Sequence, residues 1–95
     1  MTNNAAAGEE RTVQIRNKFG LHARPAAEFV KMASRFNAEV MVRKQDLEVN
    51  GKSIMGMMML AAECGAEIVI RASGDDAKNA VEELATLVNN RFGED

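Results

Sequence analysis

The chain has 95 residues, which is one domain's worth, and 46% of them are apolar, so a modest core is within reach. Its net charge of −2 and its lack of Trp and Tyr argue against nucleic acid as a partner, because phosphate backbones favour basic surfaces and single strands favour aromatic ones. No apolar run approaches the ~20 residues of a transmembrane helix, so we expect no membrane span. The single cysteine, Cys64, excludes an internal disulfide. The sequence also shows no secretion signal, and together with the lone cysteine this indicates a cytoplasmic location.

The first part of the chain predicts a strand followed by a helix. Residues 1–10 have neither a basic start nor a long apolar run, and we expect a disordered leader to one domain over residues 11–95. Residues 11–17 alternate between apolar and polar side chains, as in a half-buried strand. From Ala23 the apolar period becomes helical. Pro25 suits the first turn of a helix, where a missing N–H costs nothing.

The middle of the chain predicts a β-hairpin and a short helix. Residues 38–44 alternate again, residues 45–46 are typical of a turn, and residues 47–50 indicate a third strand. Ser53 is a good N-cap for a short helix that ends at about Leu60.

The last part of the chain predicts a fourth strand over residues 67–73 and a final helix over residues 77–90, with Asp75 as its N-cap. The order of elements is therefore β-α-β-β-α-β-α. This order favours an α+β fold, an open-faced β-sandwich in which three helices cover one face of a four-stranded, mostly antiparallel sheet.

The one histidine of the chain, His22, falls at or just before the start of the first helix. Backbone N–H groups at such an end are unpaired, and the helix dipole adds partial positive charge, so a helix start binds phosphate readily. Arg24 adds a guanidinium that grips phosphate oxygens in pairs. The same positive setting disfavours the imidazolium and leaves a ring nitrogen free as a nucleophile. Together these features predict a site for a phosphoryl group held on nitrogen.

Other interpretations of His22 stay open on spacing alone. A lone histidine is more often a capping or surface residue than a nucleophile. A Ser-His-Asp arrangement, or a small hydrolase that uses His22 as a base, is a weaker alternative, because the chain has no G-x-S-x-G motif and little room for a cleft. Metal binding is disfavoured because the one histidine and the one cysteine are far apart in sequence. We therefore expect neither a metal nor a cofactor.

The short second helix carries more apolar residues than one face can bury. Met57, Leu60 and Ala61 suit the buried stripe, which leaves Ile54, Met55 and Met58 outside. An exposed apolar patch usually marks a partner surface, and methionine adapts to several partners. These three residues are therefore predicted to bind partners, with core filling by methionine as the alternative.

Two segments of the chain resemble the signatures of a known family. The segment GLHARPAAEFV resembles the active-site motif of HPr, the histidine-containing phosphocarrier of the bacterial phosphotransferase system, and NGKSIMGMMML resembles its second signature. The resemblance covers about residues 11–92, and the family's open-faced β-sandwich agrees with the predicted order of elements. Two segments depart from the sugar-transport members: MMMLAA, and the ending RFGED, which is more similar to the nitrogen-related branch.

The resemblance implies a role for each matching residue. His22 becomes the residue phosphorylated on Nδ1, Arg24 assists transfer, and the amides of Ala23 and Arg24 bind phosphate. Ser53 matches a serine that a dedicated kinase phosphorylates in many relatives. The partners implied are Enzyme I, which draws on phosphoenolpyruvate, an EIIA-type acceptor protein and an HPr serine kinase/phosphorylase.

Two functions follow from these observations. The leading hypothesis is a monomeric phosphoryl carrier in a transfer chain rather than an independent catalyst. The alternative is a purely regulatory binding module that is controlled by phosphorylation of Ser53.

Overall fold

A computed structural model describes residues 8–94 of the chain. Four strands and three helices follow one another in the predicted order, and a 3₁₀ turn follows the last helix. The elements are β1 (Gly8–Gln14), α1 (Ala23–Ala33), β2 (Glu39–Lys44), β3 (Leu47–Asn50), α2 (Ile54–Met59), β4 (Glu67–Ser73), α3 (Ala77–Asn89) and the 3₁₀ turn Arg91–Gly93. Among residues 8–94 no helix is long and apolar enough to cross a bilayer.

The four strands form one sheet in the order β1-β4-β2-β3, and each neighbouring pair is antiparallel. Successive side chains of a strand point to opposite faces, so buried residues fall at every second position of β4 and of the first part of β2. Side chains of one face form the core with those of the three helices, while the other face carries residues such as Thr12 and Arg71. This arrangement confirms the predicted open-faced sandwich.

The first strand lies three residues earlier than the sequence pattern predicted, over Gly8–Gln14 instead of residues 11–17. It begins at Gly8, where pairing with Ser73 of β4 starts, so the predicted leader over residues 1–10 is too long by three residues. Residues 1–7 lie outside the described part of the chain. The early start was missed because Glu9 and Glu10 show no apolar alternation. Their place in the strand comes from backbone pairing with β4.

The start of α3 is also one residue away from its prediction. Asp76, and not Asp75, is at the N-cap position, and its side chain does not cap the helix. Its two carboxylate oxygens instead accept hydrogen bonds from the backbone N–H groups of Asn37 and Ala38, both at 2.8 Å. These bonds, the one from Asn37 above all, hold the pKa of Asp76 below its usual value although partial burial acts against this. Asp76 therefore joins the start of α3 to the loop before β2.

Replacement of this carboxylate tests its structural role. Asp76→Ala leaves the N–H groups of Asn37 and Ala38 without their acceptor, so we expect thermal unfolding at a clearly lower temperature at pH 7. Because the pKa of Asp76 is lower in the folded chain, the stabilisation is present above the unfolded value of 3.8 and is lost as the pH falls through the folded value. The gap between parent and variant in thermal melts should therefore close in acid.

Asp75→Ala is the matched control, because Asp75 is exposed and should melt like the parent at every pH. Equal melting of Asp76→Ala and Asp75→Ala at pH 7 would contradict the assignment.

Candidate functional site

His22 is the N-cap residue of α1, but its side chain does not cap the helix. Its backbone is extended, with φ −77° and ψ −174°, and its carbonyl oxygen accepts the first helical hydrogen bond, from Ala26 N–H at 3.0 Å. The imidazole is 41% exposed to solvent. The interpretation of His22 as a capping side chain is therefore wrong, and the ring is available for chemistry.

The start of α1 offers two backbone donors beside this ring. Within the first turn Ala23 and Arg24 carry N–H groups that an α-helix leaves unpaired, while Pro25 has none. Neither N–H has a partner among residues 8–94. Both amides that the family resemblance assigned to phosphate are therefore free, at the positive end of the helix dipole.

The loop before α1 fixes the position of His22 through close backbone packing. Leu21 N–H donates to the carbonyl oxygen of Ala62 at 2.8 Å, and the Leu21 side chain is buried. Gly20 has φ +69°, and a Cβ there would lie 2.5 Å from that same oxygen of Ala62. Only glycine fits both conditions. The glycine of the GLHAR segment thus holds the histidine loop against the segment after α2.

A carboxylate that the sequence analysis missed lies between the two predicted functional side chains. Oε2 of Glu94 lies 3.1 Å from Nε2 of His22 and accepts a hydrogen bond from Nη1 of Arg24 at 3.0 Å. Oε1 of Glu94 accepts from Nδ2 of Asn17, also at 3.0 Å. The Glu94 side chain is only 14% exposed. The structure therefore brings His22 and Arg24 together on one carboxylate.

The donors around Glu94 decide its charge. Burial raises the pKa of this carboxyl, but the hydrogen bonds from Asn17, His22 and Arg24 together outweigh burial and hold it below its usual value. Glu94 is therefore ionised at neutral pH. The site holds a negative charge at the place where the sequence alone predicted only positive features.

The predicted cap of α2 is present. Oγ of Ser53 accepts a hydrogen bond from Gly56 N–H at 3.0 Å, and the helix ends at Met59, one residue before the predicted end. In the described part of the chain Ser53 makes no hydrogen bond to His22 or Arg24. The predicted regulatory serine is therefore not part of the hydrogen-bonded group at His22.

The predicted partner residues are on the surface. Ile54, Met55 and Met58 are exposed, Met55 by 76%, whereas Met57 is fully buried in the core. Only the predicted burial of Ala61 is wrong, because the chain turns to φ +48° there and leaves the helix face.

Three exposed large apolar residues were not predicted, namely Phe19, Leu47 and Met59. Met59 extends the exposed surface of α2, and the ring of Phe19 packs edge-on against that of His22, with 6.4 Å between ring centres. Phe19 carries no periodic signal because it lies in a loop. We call Ile54, Met55, Met58 and Met59 the α2 patch.

Comparison with known proteins gives the family. The family model for the PTS HPr component phosphorylation site matches residues 9–90. The chain belongs to the HPr family. The HPr of Neisseria meningitidis serogroup A, a phosphocarrier protein, is 48% identical over 85 residues, which cover 90% of this chain and 96% of that protein. The present chain is thus a phosphoryl carrier of the phosphotransferase system.

Solved structures of HPr proteins agree with this fold. The crystal structure of HPr from Thermoanaerobacter tengcongensis matches with a TM-score of 0.88 and 46% identity, over 92% of this chain and 98% of that one. The crystal structure of Crh from Bacillus subtilis matches with a TM-score of 0.72 and 47% identity, over 83% and 91% of the two chains, and is described as a swapped dimer. Among residues 8–94 no three His, Cys, Asp or Glu side chains are grouped to hold a metal ion.

Proposed function

We propose that this HPr-family chain accepts the phosphoryl group on Nδ1 of His22 from Enzyme I, which draws on phosphoenolpyruvate, and passes it to an EIIA-type protein. The observation that carries the proposal is the half-exposed imidazole at the start of α1, next to the free amides of Ala23 and Arg24. A carrier needs an exposed nucleophile that two different proteins can reach in turn. It needs no deep cleft. A hydrolase that used His22 as a base would need a cleft beside the ring to hold its substrate.

The groups around His22 suit phosphoryl transfer by position and charge. Transfer passes through a loose, in-line arrangement in which negative charge spreads over three equatorial oxygens. Backbone N–H groups at the start of a helix and the guanidinium of Arg24 are the donors that such oxygens favour. The Arg24 side chain is 62% exposed, so part of its donor fork is open to an incoming phosphoryl group.

We propose that the α2 patch is the surface on which Enzyme I and the acceptor dock. Four exposed apolar side chains on a helix of six residues are costly in water unless a partner covers them. Methionine side chains are flexible, so one surface can fit two partners.

Ser53 suits regulation of this docking. A phosphate on its hydroxyl would add about −1.5 to −2 charges at neutral pH. That charge would stand next to Ile54, where an approaching partner must desolvate it. We propose that a serine kinase/phosphorylase controls the carrier in this way, and that pure regulation without transfer at His22 is the alternative.

Three further properties complete the proposal. We propose a cytoplasmic location, which the lone Cys64 supports. We propose a monomer, because a single His22 site with its own docking patch serves transfer, and light scattering would reveal a swapped dimer like that described for Crh. Membership of the nitrogen-related branch stays a prediction from the ending RFGED.

Phosphorylation with Enzyme I and phosphoenolpyruvate tests the carrier site. The parent should gain one phosphoryl group that is labile in acid and stable in base, as phosphohistidine is. His22→Ala should gain none, and Ser53→Ala, the control, should gain it like the parent. Mass analysis before and after acid treatment measures both. An acid-labile gain in His22→Ala at the parent's rate would refute the assignment.

A new charge on the α2 patch tests docking. Met55→Glu should raise the KM for transfer from Enzyme I by about ten-fold or more, because the partner must bury the carboxylate. Thermal melts should change little, because Met55 lies outside the core. Leu47→Glu is the matched control, since Leu47 is also an exposed apolar residue but lies in β3. Equal effects on the KM in the two variants would argue against a specific patch.

A charge at the cap of α2 tests regulation. Ser53→Asp should slow phosphorylation of His22 severalfold while the melting temperature is kept, because aspartate also caps a helix start. Ser34→Asp makes the same change at an exposed serine after α1 and should transfer like the parent. Equal transfer rates for the two variants would remove Ser53 as a switch, and a collapsed melting temperature would mean a structural effect only.

A further inference from the structure

The contact between Glu94 and His22 decides which ring nitrogen carries a proton. An ionised carboxylate accepts hydrogen bonds and donates none. Nε2 of His22 lies 3.1 Å from one oxygen of Glu94 and 3.3 Å from the other, so Nε2 must be the nitrogen that carries the proton. The lone pair of the neutral ring is then on Nδ1, which has no hydrogen-bond partner among residues 8–94.

The carboxylate is itself held in place by two other residues. Arg24 donates to one oxygen of Glu94 and Asn17 donates to the other. Asn17 is fully buried, and its Nδ2 also donates to the carbonyl oxygen of Gly20 at 2.7 Å, so the amide is fixed against the loop that positions His22. The carboxylate is therefore held from its inner side by the buried Asn17 and from the solvent side by Arg24.

The contact between Glu94 and Nε2 of His22 bears on the charge that the ring gains during transfer. The lone pair of Nδ1 attacks phosphorus and forms the new N–P bond, while the bond from phosphorus to the donor atom of Enzyme I breaks and its electron pair returns to that atom. The proton on Nε2 stays on the ring, which thereby gains positive charge. A carboxylate 3.1 Å from Nε2 stabilises that charge as it develops.

We propose that Glu94 is a positioning residue that holds the Nε2–H form of His22 and stabilises the positive charge of the ring during transfer. The proposal rests on the proposed role of His22 as the acceptor. A carboxylate that orients a histidine and stabilises its cation is a known device of nucleophilic catalysis, in which the carboxylate keeps its own charge.

The alternative role for Glu94 is competition with the phosphoryl group for the guanidinium of Arg24. Glu94 occupies the guanidinium of Arg24, so a carboxylate that merely competed with the phosphoryl group would slow its acceptance. Removal of a competitor speeds the reaction, and removal of a positioning residue slows it. The sign of one rate change therefore separates the two roles.

The test compares Glu94→Ala with the parent and with Glu83→Ala, which removes the same charge from an exposed position of α3. Phosphorylation by Enzyme I should slow by about ten-fold in Glu94→Ala, since hydrogen bonds to charged groups are worth about that factor, and should stay unchanged in Glu83→Ala. Nitrogen-15 NMR of the ring should show the Nε2–H proton of the parent and its loss to exchange with water in Glu94→Ala.

Two results would overturn the proposal. A rate in Glu94→Ala that equals or exceeds that of the parent rules out a positioning role, and so does an unchanged Nε2–H signal. The NMR signal is read without any transfer reaction. Failure of the carrier assignment appears separately, as phosphorylation of His22→Ala, so the two failures are distinguishable.

Discussion

One backbone hydrogen bond, from Leu21 N–H to the carbonyl oxygen of Ala62, joins the two segments on which the site depends. It ties the loop before α1 to the segment that follows α2. Gly20 makes the close approach possible because a side chain at this position would collide with the same oxygen. The position of His22 thus depends on contact with residues some forty positions along the chain, and a small domain fixes the loop of its candidate site without a disulfide.

The same loop connects His22, the proposed acceptor, to the core. Leu21 is buried next to His22 in sequence, and Ala26 and Phe29 bury the inner face of α1. The polar start of α1 is left in solvent, where two amides and an arginine are exposed. The core therefore holds the helix, and the exposed start of that helix carries the groups of the proposed transfer site.

Periodicity was enough to predict the strands and helices of this chain. Alternation predicted β2 and β4, the cap signal of Ser53 predicted α2, and the single His22 with Arg24 two residues later indicated the candidate site. These features are local, since each depends on residues within one or two turns of chain. For that reason the predicted fold agrees with the structure.

The features that were missed depend on contacts between distant parts of the chain. Glu94 lies 72 positions from His22, and no local pattern relates the two residues. The early start of β1 comes from pairing with β4. The oxygens of Asp76 accept hydrogen bonds from the segment before β2 and do not cap α3. Propensity indicates which residue can cap a helix. It does not indicate which distant N–H groups compete for that residue.

The one-sided cover of the sheet has a practical consequence. The helices and the α2 patch lie with the core on one face, while the opposite face of β1 presents side chains such as Thr12 to solvent. Because neighbouring positions of a strand point to opposite faces, a fluorophore attached at Thr12 is directed away from the core and the helices. The back of the sheet is therefore a natural position for a reporter that follows the encounter of this carrier with its partners in real time.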